Sequence, residues 1–279
     1  MSEAPPDEID FDALAEAYNA GLAAERAGDR AGAAEAYARA LAIDPHDRGG
    51  VSVRLAALGA APDPDGAPPA YVATLFDQTA PDFDEILVER LGYAVPMLLR
   101  ERLGDLGVRN LGRVLDLGCG TGLAGLSLAD LSGPIIGCDL SEEMVAEAHE
   151  RGVYADLYVG EAVAFLGAWG EEPGEDPFDT VVACDVLPYL GAVERLFAGV
   201  ARVLAPDGRL AVSSETLPAE GFAGRDWRVG PNHRFAHAEG YLRKALTEAG
   251  FSIDHLEPIT VRHESGRAVP GHLVIARRV

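Results

Sequence analysis

An α/β fold with a mostly parallel sheet, preceded by a small all-helical segment, is what this sequence predicts. Three observations carry that expectation. From residue 112 onward, short apolar runs alternate with helix-length stretches. The last two apolar runs follow one another with no helix between them. The first sixty residues, by contrast, are alanine-rich and helical in pattern.

Residues 1–60 come first. ALAEAYNAGLAAERAGDRAGAAEAYARALAIDP holds two helix-length segments around a Gly28-Asp29 turn, closed by Pro45. Gly21, Ala33 and Ala40 stand where two packed helices must approach closely, and Tyr37 supplies an aromatic. The stretch resembles a single tetratricopeptide (TPR) repeat, departing from it at Ala17, where the family usually has a large aromatic. DRGGVSVRLAALG reads as the remains of a further helix. Stacked repeats need about three neighbours to be stable alone. This arm is therefore expected to lean on its own chain or on a polypeptide partner. Residues 61–70, APDPDGAPPA, read as a proline-rich linker.

Residues 71–279 read as one domain. It opens with helical stretches broken at Pro81 and Pro96. Then come the alternating pairs: RVLDLG with GLAGLSLADL, PIIGCDL with SEEMVAEAHER, ADLYVGEA with VAFLGAW, FDTVVACDVL with AVERLFAGVARVL, and RLAVSSE with GYLRKALTEAG. Strand–helix alternation of this kind builds βαβ units on a parallel sheet. FSIDHLEPITVRH and GHLVIARRV complete a count of seven strands. With no helix between them, this last pair should run antiparallel.

The first strand ends in VLDLGCGTG, with Gly118, Gly120 and Gly122 opening the next helix. Glycines there let the chain turn tightly and let a ligand approach the backbone. The spacing is GxGxG, and Leu123 stands where a dinucleotide fold wants its third glycine. Asp116, two residues before the first glycine, would repel a pyrophosphate and suits an ammonium group. Asp139 ends the neighbouring strand, where a carboxylate can accept both hydrogen bonds of a ribose diol. A ribose and an amino-acid zwitterion without phosphate describe S-adenosylmethionine (SAM).

With these residues in place, 71–279 resembles a class I SAM-dependent methyltransferase. VLDLGCGTG, GCDLSEEMV, YVGEA, FDTVVACDVLPYL and VLAPDGRLAVS carry the resemblance in order and spacing. It implies a Rossmann-like seven-stranded sheet, last pair antiparallel, with SAM across the strand tips. It implies Gly118, Gly120 and Gly122 around the methionine part, Asp116 on its ammonium and Asp139 on the ribose. Leu140 and Met144 would lie along the adenine. Glu161, where the family usually has Asp, would accept from the adenine amino group, with Ala162 beside it. Asp185 and Leu187 would lie near the methyl group. FDQTAPDFD resembles the front helix of small-molecule methyltransferases, with Tyr71, Phe76 and Phe83 as candidate aromatics near the sulfonium.

Composition limits the partners. The chain has 23 Lys+Arg against 45 Asp+Glu, a net charge of -22, which opposes nucleic-acid and anionic-membrane binding. DVLPYL is also unlike the Asn/Asp-Pro-Pro-aromatic motif of DNA amino-methyltransferases. The acidic start MSEAPPDEIDFD has no signal-peptide pattern, and Cys119, Cys138 and Cys184 read as small buried thiols, so a cytoplasmic protein is expected. The insert TLPAEGFAGRDWRVGPNHRFAHAEGYL is expected to wall the acceptor site. Its RFAH piece looks like a pattern of TPR-bearing methyltransferases. His237 is the first candidate for a general base or substrate contact, followed by His233, Arg234, Tyr189 and Glu215. His233 and His237 lack a third ligand, so no metal is expected.

The sequence thus points to a methyltransferase with a small-molecule O, N or C acceptor. The alternatives are a protein methyltransferase or assembly factor whose arm recruits a polypeptide, a SAM-binding module without activity, and, more remotely, a dehydrogenase.

Overall fold

A computed structural model describes residues 9–171 and 175–279. The N-terminal arm is a helical hairpin, α1 (Phe11–Arg26) and α2 (Arg30–Ile43), followed by a short α3 (Val51–Ala57). Each long helix starts on an aspartate: Asp10 accepts from the Ala13 N–H, and Asp29 from that of Gly32. The turn between them runs through Gly28 at φ +76°. Gly21 is obligatory, because a Cβ there would lie 2.4 Å from the Tyr37 ring. Tyr37, Ala33 and Ala40 form the hairpin core with Ala17, Val51 and Leu55.

The arm packs on the chain's own domain. Val53 and Ala56 of α3 share an apolar cluster with Val229 and Phe235 of the insert. Glu25 meets His233 at 3.2 Å and also accepts from Tyr37 and Arg54. The proline-rich segment after the arm is tied down as well. The Ala67 N–H donates to the Tyr189 carbonyl at 2.8 Å, and the Asp65 carbonyl accepts from the Gly191 N–H at 2.8 Å.

The domain is entered through α4 (Pro69–Thr79), a π-helical turn at Glu85–Arg90, and α5 (Val95–Asp105). Pro96 sits in the first turn of α5, where its missing N–H costs no hydrogen bond. The alternating units follow: β1 (Gly112–Leu117), α6 (Leu123–Leu128), β2 (Ser132–Asp139), α7 (Glu142–Glu150), β3 (Asp156–Val159), α8 (Ala162–Ala168), β4 (Phe178–Ala183), α9 (Glu194–Val203) and β5 (Leu204–Glu215). The insert adds β6 (Trp227–Val229) and β7 (Phe235–His237), and α10 (Glu239–Glu248), β8 (Phe251–Glu264) and β9 (Arg267–Arg278) complete the chain.

β3-β2-β1-β4-β5 are parallel neighbours, with β9 antiparallel to β5 and β8 antiparallel to β9. That is the expected seven-stranded arrangement with an antiparallel last pair. Among the described residues the sheet has nine strands, because WRV and FAH of the insert pair with each other, and Ala236 bridges Glu215. Three-residue strands carry too little alternation to be read from sequence. Glu215 pairs with β9 on one edge, so β7 lies on the other, past the end of β4. The insert is thereby fixed over the tip of β4.

The apolar runs fill two cores. Leu117, Phe178, Phe197, Val200 and Leu242 pack on one face, and Leu99, Leu103, Val114, Leu128 and Leu273 on the other. No helix among the described residues is long and apolar enough to cross a membrane.

Candidate cofactor and acceptor site

A cavity of about 250 Å³ opens over the tips of β1, β2 and β4. Its floor is the glycine loop. Gly118, Gly120 and Gly122 have φ of +63°, +53° and +91°, a region that L side chains rarely adopt. A Cβ on Gly118 would strike Val186 at 2.5 Å, whereas one on Gly120 would meet only Phe83, at 4.0 Å, and would project into the space a ligand needs. Asp139 closes the second side. The Gly120 N–H donates to its Oδ2 at 2.8 Å and the Ser141 N–H to its Oδ1 at 2.9 Å. Burial raises the Asp139 pKa, and these backbone bonds oppose the rise. Each oxygen keeps a lone pair, so the carboxylate is orientated and still able to accept from a diol.

Leu140, Glu161 and Ala162 continue the wall. Glu161 also caps α8, accepting from the Val163 and Ala164 N–H groups at 2.9 and 2.8 Å. Over the front lie Phe76 and Phe83, with ring centroids 5.8 Å apart, and Tyr189, 5.3 Å from Phe76. Two aspartates fasten this front segment down. Asp77 accepts from the Ser141 hydroxyl at 2.6 Å, and Asp84 from the Thr121 hydroxyl at 2.5 Å and from Arg151. Asp185 lines the cavity at the end of β4. The donor set, the glycine cradle and the aromatic front fit a SAM-shaped ligand.

The comparisons agree with this geometry. Residues 114–208 match the model of a family described as a methyltransferase domain. The ubiquinone biosynthesis O-methyltransferase of Maricaulis maris is 28% identical over 155 residues, 50% of this chain and 59% of that protein. The demethylmenaquinone methyltransferase of Beutenbergia cavernae is 32% identical over 151 residues, 54% of this chain and 60% of that protein. The chain thus spans less than two thirds of the length of these relatives. In fold it is similar to the magnesium protoporphyrin IX methyltransferase of Synechocystis PCC 6803, solved with bound S-adenosylhomocysteine: TM-score 0.54, 22% identity, 76% of this chain and 99% of that one. Residues 114–208 are thus similar in sequence to a methyltransferase domain, and the chain is similar to a methyltransferase in fold.

Several residues expected at the cofactor site stand off the cavity wall. Asp116 is buried beneath the glycine loop and off the cavity wall, with its Oδ2 accepting from the Tyr154 hydroxyl at 2.7 Å. Burial pushes its pKa up to about 7, with the Tyr154 bond opposing, and its Oδ1 has no partner. Tyr154 reaches it over Gly125, where a Cβ would sit 2.4 Å from the hydroxyl. Gly122, Met144 and Leu187 also stand off the wall, the last two fully buried. Tyr71 packs on Gly50, where a Cβ would lie 2.7 Å from its ring, and so belongs to the arm contact.

The expected base stands apart from the cavity. His237 is fully buried on β7 and off the cavity wall. Its Nε2–H donates to the carbonyls of Leu190 and Gly191 at 2.9 and 3.1 Å. Burial lowers its pKa to about 4. These bonds tie the β4–α9 loop to β7. Glu215 is likewise behind the wall, held by Arg262 at 2.5 Å and Asn232 at 2.8 Å. His233 is engaged with Glu25, and Arg234 lies over the Tyr189 ring at 5.3 Å. No group of His, Cys, Asp and Glu able to hold a metal occurs among the described residues.

Proposed function

We propose that the chain is a SAM-dependent methyltransferase acting on a small-molecule acceptor. The observation that carries this reading is Asp139: a buried carboxylate at the tip of β2, orientated by two backbone N–H groups beside a glycine with open space above it. Asp139 would take the ribose hydroxyls, Leu140 and Ala162 the base, and Gly118 and Gly120 the methionine part. When bound, the cofactor supplies an electrophilic methyl group. Asp185 and Tyr189 would stand beside that group, and Phe76 and Phe83 would exclude water from it. The names of the quinone-pathway relatives support an acceptor of small-molecule size.

The arm is read here as a TPR-like repeat that serves its own domain. Its apolar and ionic contacts go to the insert, and the segment after it holds the Tyr189 loop. Those contacts support a brace for the acceptor wall over a polypeptide-recruiting module. Residues 1–60, 61–70 and 71–279 are then arm, tether and catalytic domain, in a cytoplasmic protein.

The test is methyl-labelled SAM incubated with the full chain and separated small-molecule and protein fractions of a cell extract. Label in an organic product of the small-molecule fraction, lost with Asp139→Ala, is expected. Label transferred to polypeptide alone would overturn the acceptor class.

A further inference from the structure

The front segment over the cavity carries the same dipeptide twice, Phe76-Asp77 and Phe83-Asp84. Each time the aromatic ring lines the cavity, while the acid beside it stands off the wall and binds the floor. Asp77 accepts from the Ser141 hydroxyl at 2.6 Å. Asp84 accepts from the Thr121 hydroxyl at 2.5 Å and from Arg151, whose Nε–H also donates to the Thr121 carbonyl at 3.0 Å. Ser141 and Arg151 cap the two ends of α7, so the front segment is held along the length of that helix.

Where these two latches end is informative. Asp139 owes its orientation to two N–H groups, that of Ser141 on Oδ1 and that of Gly120 on Oδ2. Ser141 is the residue whose hydroxyl Asp77 holds. Thr121, which Asp84 holds, follows Gly120 directly. Each latch therefore ends on, or one residue from, the N–H that aims one Asp139 oxygen. Burial raises the Asp139 pKa most, and the Asp77 charge adds to the rise. Setting a second carboxylate close to a buried one is unfavourable, and a neutral anchor would hold the segment without that repulsion. Resting on the methyltransferase reading, we propose that Asp77 and Asp84 are positioning residues that join the seating of Phe76 and Phe83 to the aim of Asp139 at the ribose diol. They act through Ser141, Thr121 and the two backbone N–H groups. A ligand that offers both ribose hydroxyls thus benefits from the latches more than one that lacks a hydroxyl.

The experiment is a cycle between latch and ligand, read by calorimetry on the full chain with S-adenosylhomocysteine and its 2′-deoxy analogue. A folded wild-type chain that binds neither would sink the methyltransferase reading and this proposal with it. Wild type should prefer the full diol by about tenfold or more. Thr121→Val keeps the shape and the backbone N–H and removes the hydroxyl that Asp84 accepts from. Asp77→Ala removes the other latch. Each should cut that preference by about threefold or more. Thr121→Ser and Asp77→Asn, which can rebuild the hydrogen bond, should restore it. Residues that only stabilised the fold would weaken both ligands by the same factor and leave the preference at its wild-type value. That result would overturn the proposal alone. So would a wild type that binds the two ligands equally, or a lost preference that the conservative variants do not rescue. Should Asp77→Ala fail to fold, the Thr121→Val and Thr121→Ser pair decides in the same way.

Discussion

At the scale of single residues, backbone shape and burial decide roles more than side-chain identity does. Gly120 shows the first. Its Cβ position is open toward the cavity, so Gly120→Ala should fold, with a stability loss of about 1 kcal/mol from the left-handed φ, and lose S-adenosylhomocysteine affinity by more than about tenfold. Calorimetry paired with thermal unfolding separates the two effects. His237 shows the second. Folded, it is held at about 4 against an ordinary 6.5. The unfolded chain therefore takes up a proton that the folded chain refuses. The stability this histidine secures is full above pH 6.5 and falls as the pH drops toward 4, by up to about 3 kcal/mol. Urea unfolding across that window should show the decline, with a shallower slope in His237→Gln. The glycine loop and Asp139 were legible because they sit at fixed offsets from a readable strand. His237 misled because its motif gave its identity and not its depth. The Tyr154–Asp116 bond joins residues far apart in sequence, and no local pattern announces it.

At the scale of elements, the alternating strands and helices of 112–248 follow directly from the period of the apolar residues. The insert does not, since β6 and β7 are three residues each and owe their pairing to β5 and to the arm. That dependence can be measured. Phe235 is fully buried in the cluster with Val53 and Ala56. Phe235→Ala should cost about 3–5 kcal/mol and raise hydrogen exchange in α3 as well as in β7. Exchange that rises in β7 alone would show the arm to be independently held. The Glu25–His233 contact is partly exposed and contributes less; a double-mutant cycle should return under about 1 kcal/mol.

At the scale of the whole molecule, a net charge of -22 acts against compaction, so the thermal midpoint should rise as salt increases from about 10 mM to 150 mM. The same charge opposes binding to polyanions and says nothing of the acceptor. The fold class was readable because one ligand chemistry constrains the strand tips. The acceptor was not, because the cavity wall brings together the proline-rich segment, the front segment and the β4–α9 loop, which meet only in three dimensions. Every role proposed for these residues depends on cofactor binding at those tips. Titrating S-adenosylhomocysteine into the full chain and into Asp139→Ala by calorimetry tests it. Binding in the micromolar range, about -8 kcal/mol, that is strongly weakened in the variant is the predicted result. A folded wild-type chain that gives no binding, or a variant that binds as well, would contradict it.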